Sequence, residues 1–145
     1  LFCTAAVIPH LKKKKSGQLI YLSSGVGKRG LPGVSSYCAT KSALNSFTES
    51  LRVEILNFNI DVILISPGLV KTEFNKRLNI YGKLSETFTR GKEKEPSFVA
   101  KEIVIASLKR KKSVILSSKT RLGILMSFFF PRLVDKILSK KISNE

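Results

Sequence analysis

Residues 18–41 limit what this chain can fold into more than any other part of it. Leu19, Ile20, Tyr21 and Leu22 form a short apolar run bounded by turn formers, the pattern of a buried strand over residues 18–23. The run ends in Ser23 and Ser24. A loop follows that holds Gly25, Gly27, Gly30, Pro32 and Gly33. A long helix is predicted from Ser35 or Ser36, with Ala39, Ala43, Leu44, Phe47, Leu51 and Ile55 at three- and four-residue steps. Tyr37 and Lys41 are four positions apart in that helix and so share a face.

The remaining pattern repeats the same alternation. Residues 1–11 read as an apolar helix that stops near Pro9 and the lysines at 12–15. The Tyr37 helix should end near residues 57–59, and residues 61–65 form a second buried strand closed by Ser66, Pro67 and Gly68. Residues 73–95 are polar and mixed in charge, with room for a short helix. Pro96 opens another helix at a tolerated first position, with Val99, Ile103 and Ala106 on one face. Residues 113–116 make a third strand, and residues 120–142 one or two helices interrupted at Pro131. Helices alternating with continuous apolar strands imply an α/β fold: a doubly wound parallel sheet with helices on both faces.

Composition excludes several classes. With 43% hydrophobic residues the chain is globular. Its net charge of +16 favours anionic partners, either through a dedicated patch or through a generally lysine-rich surface. No tryptophan is present, and no basic stripe is interleaved with stacking aromatics, so no specific nucleic-acid module is predicted. Cys3 and Cys38 lack the neighbours that a metal site needs and read as small buried thiols in a reducing compartment. His10 is the single histidine, and nothing places it in a hydrolytic triad. There is no secretory signal pattern, and the apolar stretch at 122–131 is too short to span a bilayer. The expected location is intracellular, cytoplasmic or peripheral on a membrane.

The chemistry lies in Tyr37 and Lys41. A free tyrosine titrates near ~10, and a close ammonium favours the tyrosinate. Such a pair runs acid–base chemistry on an alcohol or ketone. A serine hydroxyl at the end of the preceding strand can hydrogen-bond the same substrate oxygen. A tyrosine and lysine four apart is a weak signal by itself, since chance supplies such pairs. The glycines of Gly25-Val26-Gly27-Lys28-Arg29-Gly30 match a dinucleotide fingerprint. However, that fingerprint must open directly into a helix, and Leu31-Pro32-Gly33 prevents this. They read instead as a flexible active-site loop.

Ser23-Ser24, then Tyr37-Cys38-Ala39-Thr40-Lys41 thirteen residues after Ser24, then Ser66-Pro67-Gly68-Leu69-Val70-Lys71-Thr72, resembles the short-chain dehydrogenase/reductase family in order and spacing. The resemblance covers residues 1–118 as the C-terminal part of a Rossmann-type domain, with 119–145 as a basic amphipathic tail. It implies NAD or NADP as cofactor and a small-molecule carbonyl or alcohol as substrate. It also implies a homo-oligomer built on the long helix. By that resemblance Tyr37 is the general acid/base. Lys41 favours its ionised form and binds the nicotinamide ribose, and Ser24 polarises the substrate carbonyl, while Ser23 is structural. Together with Tyr37 and Lys41, Pro67, Gly68, Val70 and Thr72 are carried over as cofactor contacts, Val70 through its backbone. No metal is implied.

The family's glycine-rich pyrophosphate loop, its cofactor-selecting residue and a fourth catalytic residue, an asparagine, have no counterpart in these residues. The first residue is Leu1, so the chain reads as a fragment that would not turn over substrate without its upstream half, and whose strand 18–23 would be an exposed sheet edge. The alternative is a truncated, non-catalytic relative acting as a basic membrane-associated or binding module. In the tail, Leu122, Leu125, Met126, Phe129 and Leu133 recur at helical spacing beside Arg132, Lys136, Lys140 and Lys141. This pattern fits a lid over a hydrophobic or lipid-like substrate, an interfacial helix on an anionic membrane, or a helix packed on the core or a dimer partner.

Overall fold

A computed structural model of the chain describes residues 1–74 and 93–143. In chain order the elements are α1 (Phe2–Lys14), β1 (Gly17–Leu22), α2 (Ser35–Glu54), β2 (Ile60–Ser66), α3 (Pro96–Leu108), β3 (Ser113–Ile115), α4 (Ser118–Phe129) and α5 (Pro131–Ser143). The three strands form one parallel sheet in the order β1-β2-β3. Gly17 pairs with Ile60 and Leu22 with Ile65; Leu64 pairs with Ser113 and Ser66 with Ile115. The short helix expected within residues 73–95 falls mostly outside the described residues.

Alternation along β2 explains why helices cover both faces. Ile60 and Val62 point to one side and pack with Leu51 of α2 and with Ile55 just after it, with Ile8 and Leu11 of α1 against the same cluster. Ile63 and Ile65 point to the other side, onto Ala106 and Ile103 of α3. β2 is therefore apolar on both faces, as a central parallel strand requires. The partial, doubly wound Rossmann-type sheet read from the sequence is the fold observed. β1 lies at an edge of this sheet, with Ile20 and Leu22 exposed.

Two local readings are corrected. α1 does not stop at Pro9 but runs through it to Lys14. Ile8 and Leu11 are held in the core, and the Thr4 and Tyr21 hydroxyls are hydrogen-bonded at 2.8 Å. These contacts offset the roughly 3 kcal/mol that an interior proline costs a helix. The same anchoring puts Thr4, Ile8 and Leu11 on the inner face and turns Cys3 outward. Cys38 is buried as expected, but Cys3 is exposed.

α2 ends at Glu54, short of residues 57–59, and a single 3-10 turn over Leu56–Phe58 completes the descent to β2. Each helix-to-strand reversal contains a non-glycine residue at positive φ. Lys15 and Asn59 lie at 51° and Arg110 at 49°.

Candidate active site

In a parallel sheet all strands end on the same side, and that side is where open α/β folds hold their ligands. Here the C-terminal end of β1 delivers Ser23 and Ser24, and that of β2 delivers Ser66, Pro67 and Gly68. The two ends are tied together: the Ser23 amide donates to the Ile65 carbonyl at 2.8 Å. Ser23 is buried, and its hydroxyl donates to the Lys41 carbonyl at 3.3 Å, so it fastens the strand end to α2. Ser24 stands in extended conformation and opens the single 3-10 turn Gly25–Gly27, its hydroxyl accepting from the Val26 amide at 3.5 Å.

That turn is closed onto α2. A Cβ on Gly27 would lie 2.8 Å from the Lys41 carbonyl oxygen and 2.8 Å from Asn45 Nδ2. The Ser42 hydroxyl donates to the Gly27 carbonyl at 3.1 Å, and Lys28 pairs with Glu49 at 2.7 Å. Further along the loop, the Leu31 amide donates to Cys38 Sγ at 3.3 Å, and Gly33 turns at φ 80° before α2 begins. Arg29 forms an ion pair with Asp135 of α5. The glycines expected to give a flexible loop thus include two that permit close packing, Gly25 against Thr120 and Gly27 against α2. No helix opens directly from them, as the sequence requires of a false dinucleotide fingerprint.

Tyr37 and Lys41 are brought together as their spacing predicts, with Lys41 Nζ 5.7 Å from the centre of the Tyr37 ring. The ammonium donates to the Leu22 carbonyl at 3.0 Å, which points it at the end of β1. The Tyr37 ring meets Phe74 at 5.6 Å between centroids, so the segment leaving β2 reaches back over it. Within that segment Pro67, Gly68 and Val70 are half-buried and Thr72 is exposed. The Leu69 carbonyl and Lys71 amide bond to Lys94, both at 2.9 Å, placing Val70 in a parallel bridge.

Sequence reasoning missed Phe74, Asn45 and the close packing of Gly27. Asn45 lies one turn beyond Lys41, 3% exposed, and neither of its amide atoms has a partner among the described residues. Its step of four from Lys41 was the available signal.

Burial pushes the Lys41 pKa below the ordinary lysine value, because desolvation penalises its charged form. The proton therefore leaves at lower pH than it would from a solvated lysine. The stability this group contributes is present above the unfolded value near ~10.4 and is lost as pH falls through the lower folded value. Competitive amine acetylation across pH, read by peptide mass spectrometry, should give Lys41 a midpoint below ~10.4. A midpoint at or above that value would mean that burial does not govern the Lys41 ammonium.

A family model described as short chain dehydrogenase matches residues 1–81. A dehydrogenase/reductase SDR family protein 7-like from Drosophila melanogaster is 31% identical over 144 residues, covering 95% of this chain and 44% of that protein. An NADP-dependent 3-hydroxy acid dehydrogenase from Schizosaccharomyces pombe is 35% identical over 123 residues, covering 79% of this chain and 44% of that protein. The chain spans less than half the length of these relatives. Among solved structures, a short chain dehydrogenase from Burkholderia cenocepacia in complex with NADP superposes with a TM-score of 0.74 at 21% identity. That match covers 93% of this chain and 52% of that one. The family model matches more than half of the 145 residues, across the first two strands and the helix that carries Tyr37 and Lys41, and the chain belongs to the short-chain dehydrogenase family.

Proposed function

We propose that the full-length protein containing this chain is an NAD(P)-dependent oxidoreductase that interconverts a carbonyl and a secondary alcohol. The observation that carries this reading is the Lys41 ammonium, partly desolvated, 5.7 Å from the Tyr37 ring and aimed at the end of β1. The residues fit a nicotinamide nucleotide. Lys41 spends one N–H on Leu22 and carries two more, a donor set suited to a ribose diol. Pro67, Gly68, Val70 and Thr72 leave β2 on the same side of the sheet. When bound, the nicotinamide supplies or accepts the hydride.

The chain's own residues handle the proton. In reduction, the Tyr37 hydroxyl gives its proton to the substrate oxygen as the carbonyl becomes an alcohol; in oxidation it takes that proton back. The Ser24 hydroxyl hydrogen-bonds the same oxygen and stabilises its developing charge. Lys41 holds the ribose and keeps positive charge beside Tyr37. Apolar Leu31, Pro32 and Leu138 line a crevice of about 430 Å³ next to the first turn of α2, which supports a hydrophobic or lipid-like substrate. Val53 in the last turn of α2 and Leu56 in the 3-10 turn after it are exposed and support oligomerisation through that end of the helix.

The test is NADH and NADPH oxidation by the full-length protein against a panel of aliphatic and aromatic ketones, followed by nicotinamide absorbance. Substrate-dependent oxidation is expected with apolar ketones and absent from residues 1–145 by themselves. No turnover with any carbonyl or alcohol in either direction would overturn the reading.

A further inference from the structure

The last two helices carry an apolar surface that no other described residue covers. On α4, Leu122, Leu125 and Phe129 follow one another at helical spacing and are exposed, and Phe128, packed edge-on against Phe129, is 78% exposed. Phe130 continues the surface across the bend at Pro131, and Leu133 and Ile137 extend it along α5.

The opposite sides of both helices are occupied. Thr120 of α4 lies against Gly25 and Gly68, and Asp135 of α5 is paired with Arg29. At about 100° per residue, Arg132, Lys136 and Lys140 fall on one arc of α5. The exposed Leu133 and Ile137 lie on the next arc, and the half-buried Val134 and Leu138 beyond them.

We propose that α4 and α5 form a docking surface for an anionic lipid membrane. Charge complementarity selects this occupant. The apolar stripe is edged by cations on α5, with Lys119 and Arg121 at the start of α4, and the chain carries a net +16. A second copy of the chain would bring like charges face to face across the same surface. No helix among the described residues is long and apolar enough to cross a membrane. The helices lie in the interface instead, with Phe128, Phe129 and Phe130 at the acyl boundary and the cations at headgroup depth. This inference does not rest on the hydride-transfer reading: Leu138 on the inner side of α5 lines the crevice given to the substrate, but none of the residues of the docking surface does, and neither helix supplies a group to the proton transfer.

The test is flotation of the full-length protein with phosphatidylcholine vesicles, with and without phosphatidylserine. Co-flotation is expected with the phosphatidylserine vesicles and weakens as salt is raised. Phe128→Ser combined with Phe129→Ser should lower partitioning by at least about tenfold. Arg132→Gln and Lys136→Gln should each lower it about fivefold. All four side chains are exposed, so an unchanged melting temperature accompanies the loss. Absence of co-flotation overturns the proposal. So does co-flotation that both sets of variants leave unchanged, because attachment then resides elsewhere. A solution dimer that the phenylalanine variant dissociates, without vesicle binding, also overturns it and assigns the surface to a second copy.

Discussion

Tyr37→Phe in the full-length protein is expected to lower kcat by roughly a hundred- to ten-thousand-fold, the range that a positioned acid–base group contributes. The ring should stay in place. Its contact with Phe74 at 5.6 Å is made by the aromatic ring, which phenylalanine keeps, and α2 is anchored by the buried Leu51 and Cys38. The melting temperature should therefore change little while turnover collapses. Stopped-flow or steady-state assays beside a thermal melt separate the two effects. Retained turnover would remove Tyr37 from the proton-transfer role, and a collapsed melt would mean that the hydroxyl is structural.

Gly27→Ala is expected to damage both stability and activity, and Gly30→Ala neither. At Gly27 a single methyl would sit 2.8 Å from the Lys41 carbonyl oxygen and 2.9 Å from its carbon. Both are backbone atoms and cannot swing aside. Relief requires the turn to lift away from α2, at about 1–3 kcal/mol for overpacking of this kind. The lifted turn carries Ser24 with it, and a displacement near 1 Å at a reacting group costs on the order of a hundredfold in rate. At Gly30 a methyl meets nothing within 4 Å and φ is not positive, so alanine there is neutral or stabilises slightly by restricting the unfolded chain. Denaturant melts and kcat/KM for the two variants make the comparison, and equal behaviour would remove the close approach at Gly27 as a cause.

These cases mark what was legible in the sequence. Leu19–Leu22 and Val62–Ile65 declared themselves as strands by their continuous apolar runs, and both were found within a residue or two of their expected bounds; β2 is buried as read, whereas β1, at the edge of the sheet, has no fully buried residue and leaves Ile20 and Leu22 exposed. The pairing of Tyr37 with Lys41 followed from helical periodicity, a purely local property. The close packing of Gly27 was not legible, because its neighbours Lys41 and Asn45 lie on a different element and only the folded arrangement brings them near. Pro9 misled for the same reason: its local cost is real, and tertiary contacts from Ile8 and Leu11 outweigh it. Cys3 was read from its apolar neighbours, whereas its exposure depends on which face of α1 meets the sheet. Phe74 carries no pattern of its own, and its place beside Tyr37 comes from the path of the chain after β2.

The order of the strands also fixes the order in which the molecule can open. β2 is bonded to a strand on each side and packed on both faces, with Ile63 and Ile65 fully buried, so its amides can exchange only through the largest and rarest opening. α2 rests on that strand and inherits its slow clock, and with it Tyr37 and Lys41. α4 and α5 have no buried residue among those described and sit at the fast end of the same scale. The Tyr37–Lys41 geometry and the outer tail therefore belong to different timescales of one chain, and the tail can rearrange many times before the platform beneath the tyrosine loosens once.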